Sequence, residues 1–126
     1  MNTPLHEASW EGHIDAMQLL IDHGADINAN GKCGSTPLHY TARYGHSNTM
    51  QLLIDHGVNV NARNDYDRTP LHWASCFGNI DAMKLLIKHG ADINAKDERG
   101  ETPLRMALYK DRTDAAALLR ANGAIE

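Results

Sequence analysis

The tetrapeptide TPLH spans Thr3–His6, returns at Thr36–His39 and returns again at Thr69–His72, with a near copy, TPLR, at Thr102–Arg105. Each start lies 33 residues after the last. A fixed period in the range of 20–50 residues is the mark of a repeat architecture, so the interval and not the tetrapeptide decides the fold. With residues 3–35, 36–68 and 69–101 laid under one another, 13 columns are identical in all three, and the first and third blocks agree at 22 of 33 positions. Residues 102–126 make most of a fourth block, and the whole of 1–126 reads as a single domain.

Each block reads as helix, turn, helix and extended polar loop. In the second block Thr36 is placed to cap a helix, with a hydroxyl that accepts from an unpaired backbone N–H. Pro37 follows at the first helical position, where its missing donor costs little. The helix runs through LHYTARY (Leu38–Tyr44) and stops at Gly45, which supplies a left-handed turn residue. A second helix follows in SNTMQLLIDH (Ser47–His56), with Ser47 as its expected N-cap. Met50, Leu53 and Ile54 fall on one apolar stripe at i, i+3 and i+4. Gly57 ends it, and an Asn- and Asp-rich segment leads out, as turns require. Helices this short cannot bury a stripe alone, whereas stacked copies can.

The quoted residues, read together as G-x-TPLH-x-A…G-x…LLI-x-H-GADINA, resemble the ankyrin repeat. The resemblance covers Thr3 to about Ala124, nearly the whole chain. It implies an all-α solenoid of stacked helix-turn-helix units, each with a projecting β-hairpin-like finger. It also implies that a partner is held on the concave face, by the finger tips and the exposed side of the first helices.

Composition narrows the function. Net charge is −4, from 12 basic and 16 acidic residues spread along the chain, which gives no electrostatic reason to expect nucleic acid or an anionic membrane. No apolar run approaches the roughly 20 residues of a membrane span, and the N-terminus lacks a secretory pattern. Cys33 and Cys76 fall in different columns, so two reduced thiols and an intracellular, cytoplasmic or nuclear setting are expected. Six of the eight histidines recur once per full block, His6, His39 and His72 in one column and His23, His56 and His89 in another, which arranges them in rows. A metal site needs ligands converging on a point, so the rows favour local hydrogen bonding around the helix starts. No phosphate loop, carboxylate pair or nucleophile elbow occurs, and a non-enzymatic protein without cofactors is expected.

The fourth block departs from the others. Thr113, Ala116 and Arg120 stand where the third has Ile80, Met83 and Ile87, and Arg105 and Asp111 replace a histidine and a glycine. These changes read as a C-terminal cap with its outer side turned to water. The first block keeps Ile14, Met17 and Ile21 and shows no such treatment. Two expectations follow, a start inside a longer array and a first repeat that caps itself.

Where the scaffold columns repeat, others vary, and on the resemblance these mark the binding surface. At the fingers they are Lys32, Cys33, Ser35, Asp65, Tyr66, Arg68, Glu98, Arg99 and Glu101. On the first helices they are Trp10, Glu11, Arg43, Tyr44, Cys76, Phe77, Tyr109 and Lys110. Trp10, Tyr44, Phe77 and Tyr109 put one aromatic ring in every block, in two adjacent columns. Packing on the next helix explains such a row, as it does for Tyr40 and Trp73 one turn earlier. A row of exposed rings flanked by Arg and Glu is also the composition of a binding hot spot. The expected function is therefore a monomeric module that binds a protein or peptide partner. Two other readings stand beside it. Asn28 and Asn94 lie in L-x5-D-I-N contexts resembling those hydroxylated by asparaginyl hydroxylases, and the domain could be a regulatory or targeting segment of a larger protein.

Overall fold

A computed structural model describes residues 1–126. Its eight α-helices are α1 (Pro4–Glu11), α2 (Ile14–Asp22), α3 (Pro37–Tyr44), α4 (Ser47–Asp55), α5 (Pro70–Cys76), α6 (Ile80–Lys88), α7 (Pro103–Tyr109) and α8 (Thr113–Ala121). They stack in two layers. One layer runs α1, α3, α5, α7 and the other α2, α4, α6, α8, with α1 on α2, α3 on α4, α5 on α6 and α7 on α8.

The buried side chains recur with the sequence period. Leu5, Leu38, Leu71 and Leu104, from the TPLH column, are all but fully enclosed, as are Met17, Met50 and Met83 and also Leu53, Leu86 and Leu119. All belong to one continuous core that runs through every helix pair. Leu20, the first member of the last column, is only half-buried, because no helix pair lies on its outer side. That column therefore faces the preceding pair.

The TPLH motif acts as a relay between neighbours. Thr3, Thr36 and Thr69 each cap a first helix, and the imidazole three residues on closes a reciprocal capping box. In the second copy the Thr36 N–H and hydroxyl both donate to His39 Nδ1, at 3.1 and 2.9 Å. With Nδ1 accepting, the ring proton sits on Nε2. Nε2 then donates to the Arg68 carbonyl at 2.8 Å, just before the next Thr. His72 reaches the Glu101 carbonyl at 2.9 Å, and His6 reaches those of Ala29 and Ser35 at 2.8 and 3.0 Å. Arg105 has no acceptor nitrogen, so Thr102 caps α7 without a box.

A second row ties the opposite ends of the first helices. Ser47 is the first residue of α4 and not its cap; that position belongs to His46, whose side chain caps nothing locally. It reaches back instead, Nε2 donating to the Trp10 carbonyl at 2.9 Å. Asn79 donates to the carbonyls of Ala42 and Arg43, both at 2.8 Å, and Arg112 to that of Cys76 at 3.2 Å. Three residue types thus do one task, satisfying carbonyls that a helix end leaves open. The close approach explains the glycines before them. A Cβ on Gly12 would lie 2.8 Å from His46, and one on Gly45 3.1 Å from Asn79. Asp111 occupies the same column with φ 55° and meets no such neighbour, so a short polar side chain is tolerated.

The fingers form no strands. Each closes on itself through a backbone bond at its base, Gly31 N–H to Ser35, Asn64 N–H to Arg68 and Asp97 N–H to Glu101, at 2.8–3.0 Å, with turn bonds inside it such as Gly34 N–H to Gly31, Asp67 N–H to Asn64 and Gly100 N–H to Asp97. Between neighbouring fingers a single backbone-to-backbone bond runs, Asp65 N–H to the Cys33 carbonyl and Glu98 N–H to the Tyr66 carbonyl. One bond per neighbour is too little for a ladder. Thr113 and Arg120, two of the three residues expected to turn outward, face solvent, with Arg120 paired to Glu126. Ala116 differs from that expectation. It is buried, because its column packs inside the helix pair and not against a following one.

Leu53→Ala removes a fully enclosed side chain and is expected to cost about 2–5 kcal/mol, whereas Leu118→Ala, at a half-buried position of α8, costs less. Equal shifts of the urea midpoint would contradict the stacked core. Acidification tests the relay. Burial lowers the His39 pKa from its usual value near 6.5 to about 4, against the pull of the Arg68 carbonyl, and His72 is lowered in the same way. The unfolded chain then binds more protons in that window, so stability present above pH 6.5 is lost as pH falls toward 4. Between pH 7 and 5 the loss from His39 should be about 2 kcal/mol in urea titrations, and His39→Gln should flatten the slope. A pH-independent parent would refute the neutral relay.

Candidate functional site

Along the first helices, positions one turn apart share the side that faces the fingers. Tyr40 and Tyr44 on α3 are such a pair, and Trp73 on α5 with Phe77 at its C-cap another. Trp10, at the end of α1, stacks beside both tyrosines, with ring centroids 5.8 Å from Tyr40 and 5.7 Å from Tyr44. Tyr40 meets Trp73 edge to face at 6.3 Å. The rings form a continuous aromatic run across three units. The Arg43 guanidinium lies over Tyr44, Trp73 and Phe77 at 5.2–5.5 Å, within cation–π range.

The first two fingers stand over this run and enclose a groove of about 320 Å³. Lys32, Cys33 and Ser35 line it from the first finger, Tyr66 and Arg68 from the second, and Trp10, Tyr40, Arg43, Tyr44 and Trp73 from the helices. An ion pair sets its edge, Arg68 Nε donating to Asp97 Oδ2 at 3.1 Å with the carboxylate wholly buried. Burial alone would raise the Asp97 pKa. The backbone N–H of Glu101, the Arg68 guanidinium and the backbone N–H of Arg99 outweigh it and hold the carboxyl below its usual range. Asn64 holds the second finger likewise, accepting from the N–H groups of Tyr66 and Arg68 at 2.9 and 3.1 Å. The first finger has Gly31 in that column, and Asn2 replaces the missing side chain by accepting from the Lys32 N–H at 2.8 Å.

Eight of the sequence-chosen residues in the variable columns, Trp10, Lys32, Cys33, Ser35, Arg43, Tyr44, Tyr66 and Arg68, meet in this groove. Others do not join it. Phe77 lies outside the lining and touches it through Arg43, whose guanidinium is 5.2 Å over its ring. Asp65, Glu98 and Arg99 are exposed at the fingers, and Glu11 lies beside His13 at 3.6 Å. Tyr109 and Lys110 are exposed on the last unit, where Arg105 lies 6.0 Å over the Tyr109 ring. Cys76 corrects the expectation of an exposed position. It is 8% exposed, because a short side chain stays within the packed layer where Trp10 and Arg43 reach out from the same column. Tyr40 and Trp73 were assigned to packing, yet they also line the groove; their spacing of four from Tyr44 and Phe77 is the signal that places them there.

Asn28 and Asn94 lie away from the groove and bridge neighbours. Asn28 Oδ1 accepts from the Asn59 N–H and Asn94 Oδ1 from the Ile125 N–H, each at 2.9 Å. Asn61 makes the same contact with Asp92 at 2.8 Å. No group of three or more His, Cys, Asp or Glu side chains is placed to hold a metal, and no helix is long and apolar enough to cross a membrane.

The profile described as "Ankyrin repeats (3 copies)" matches residues 5–97, and "Ankyrin repeats (many copies)" matches 75–120. The chain belongs to the ankyrin-repeat family. Ankyrin-repeat domains are in general protein–protein interaction modules and typically non-enzymatic. Among similar proteins, a probable E3 ubiquitin-protein ligase XBOS33 of Oryza sativa subsp. japonica is 47% identical over 34 residues, 27% of this chain and 6% of that protein. Ankyrin repeat domain-containing protein 49 of Bos taurus is 56% identical over 27 residues, 21% of this chain and 11% of that protein. The E3 ubiquitin-protein ligase XBAT33 of Arabidopsis thaliana is 44% identical over 34 residues, 27% of this chain and 7% of that protein. These matches span about one repeat length and a small part of each relative.

The stacking of Trp10 on Tyr44 should be measurable apart from the core. A double-mutant cycle of Trp10→Ala and Tyr44→Ala is expected to give a coupling of about 0.5–1.5 kcal/mol in urea unfolding. A coupling near zero would show that the rings do not support one another.

Proposed function

We propose that this ankyrin-repeat chain is a non-enzymatic interaction module whose protein or peptide partner lies across the face made by the first helices and the fingers. The observation that carries the reading is the aromatic run beneath the fingers. Trp10, Tyr44 and Phe77 are 44%, 39% and 39% exposed in a chain with only 2 Trp, 4 Tyr and 1 Phe. Large rings with few rotors supply contact area at little entropic cost, which is why they concentrate in hot spots. Their exposure on one continuous surface is more than packing on a neighbouring helix requires. The scaffold columns are unavailable, since Leu38, Leu53 and their counterparts are enclosed.

The test is differential. A tagged chain captures partners from lysate, and captured proteins are compared for the parent, for Trp10→Ala with Phe77→Ala, and for Lys88→Ala on the exposed side of α6. Each ring that acts as a hot spot should weaken a given partner by about 1–3 kcal/mol, while Lys88→Ala binds as the parent does. The helical circular-dichroism signal should persist in all variants. A folded aromatic variant that captures the same partners equally well would move the site to another surface.

A further inference from the structure

The groove has a charge unlike that of the chain around it. The sequence carries −4 overall, yet the charged side chains lining the groove are Lys32, Arg43 and Arg68, with no carboxylate among the lining residues. Arg68 is committed to Asp97. Lys32 and Arg43 belong to none of the ion pairs formed within the chain. Arg43 is nevertheless held in place, its guanidinium over three rings at 5.2–5.5 Å. A guanidinium fixed by its face keeps its N–H edges for an acceptor, and its planar fork suits a carboxylate. Ser35 adds an independent sign. It is 1% exposed, lines the groove, and its hydroxyl has no hydrogen-bond partner in the chain. Buried polar atoms are rarely left so.

The geometry points to one class of occupant, an extended acidic segment of a partner protein that carries an aromatic or large apolar residue. Its carboxylates meet Arg43 and Lys32, and its apolar side chain lies against Trp10, Tyr44 and Tyr66. This rests on the reading of the groove as the partner surface. A volume of about 320 Å³ is at the low end for small-ligand sites, so the groove admits side chains and not a folded domain. A nucleic-acid strand shares the taste for cations and rings. A polyanion would also track past the groove, however, over the exposed carboxylates of Glu11, Asp65 and Glu98. A short acidic segment avoids them.

Trp10 and Trp73 are the only tryptophans and both line the groove, so intrinsic fluorescence reports its occupancy. The probe is a blocked peptide with a central Phe flanked by Glu residues. Three comparators have Lys in place of Glu, Ser in place of Phe, or are oligouridylate. The acidic Phe peptide should give a saturable change in emission that weakens with added salt. The Lys and Ser versions should bind at least ~10-fold and ~5-fold more weakly, and Lys32→Glu and Arg43→Glu should each weaken the acidic peptide at least ~5-fold. Lys32 is exposed and unpaired, so Lys32→Glu keeps the parent's unfolding midpoint and remains informative if Arg43→Glu does not fold. Equal binding of the Lys peptide, tighter binding of oligouridylate, or no saturable change would each overturn the assignment. A lysate partner that depends on Trp10 but ignores Lys32→Glu leaves the interaction surface standing and removes only its acidic specificity. Loss of the Trp10 dependence removes the surface itself.

Discussion

The molecule depends on a hydrogen bond that crosses between repeats, from the TPLH imidazole to the carbonyl that precedes the next Thr. His39 accepts from Thr36 on one nitrogen and donates to the Arg68 carbonyl from the other, at 2.8 Å. One ring therefore closes a helix start and holds the root of the following finger. The arrangement works only with a neutral imidazole whose proton lies on Nε2, and burial enforces that state. Since the same ring recurs at His6 and His72, finger positions are referenced to the helix layer at each step. The groove inherits this, because Ser35 and Arg68 are residues whose carbonyls the relay holds.

The helix layer is registered at its other end by His46, Asn79 and Arg112. Each crosses to the preceding unit and caps carbonyls there, and each demands a glycine or an open side in front of it. Fixed at both ends, successive first helices present their variable residues at a constant offset. This is why residues as far apart in the chain as Trp10, Tyr44 and Trp73 make one aromatic run and not three isolated rings. Rigidity of this kind limits what a partner must order on binding.

Terminal units show what each column does by lacking its partner. Leu20 is half-buried where Leu53 and Leu86 are enclosed, which identifies a column facing the preceding repeat. Arg105 and Asp111 relax columns whose histidine and glycine serve a following repeat. The Asn94 bridge, by contrast, keeps its partner, because Ile125 is the fourth repeat's residue in the column that Asn59 and Asp92 hold. Ala116 shows that not every change in the last repeat is a surface change, since its column remains inside the helix pair.

The sequence by itself determined the period, the helix starts at Thr-Pro, the glycine stops and the family, because these are local demands of capping and backbone conformation repeated in register. It also showed which columns vary, and so most of the groove's residues. Only the tertiary structure decided which varying residues meet. Trp10, Arg43 and Cys76 share a column, yet the first two reach the groove while the thiol is buried, because side-chain length and the next repeat's cover set exposure. Tyr40 and Trp73 prove to serve both packing and groove; spacing puts them on the groove side, and only the stacked repeats show one ring doing both. His46 and not Ser47 stands at the start of α4, and its side chain makes no cap there. Its task lies in the preceding repeat, a partner 36 residues away that no local pattern reveals.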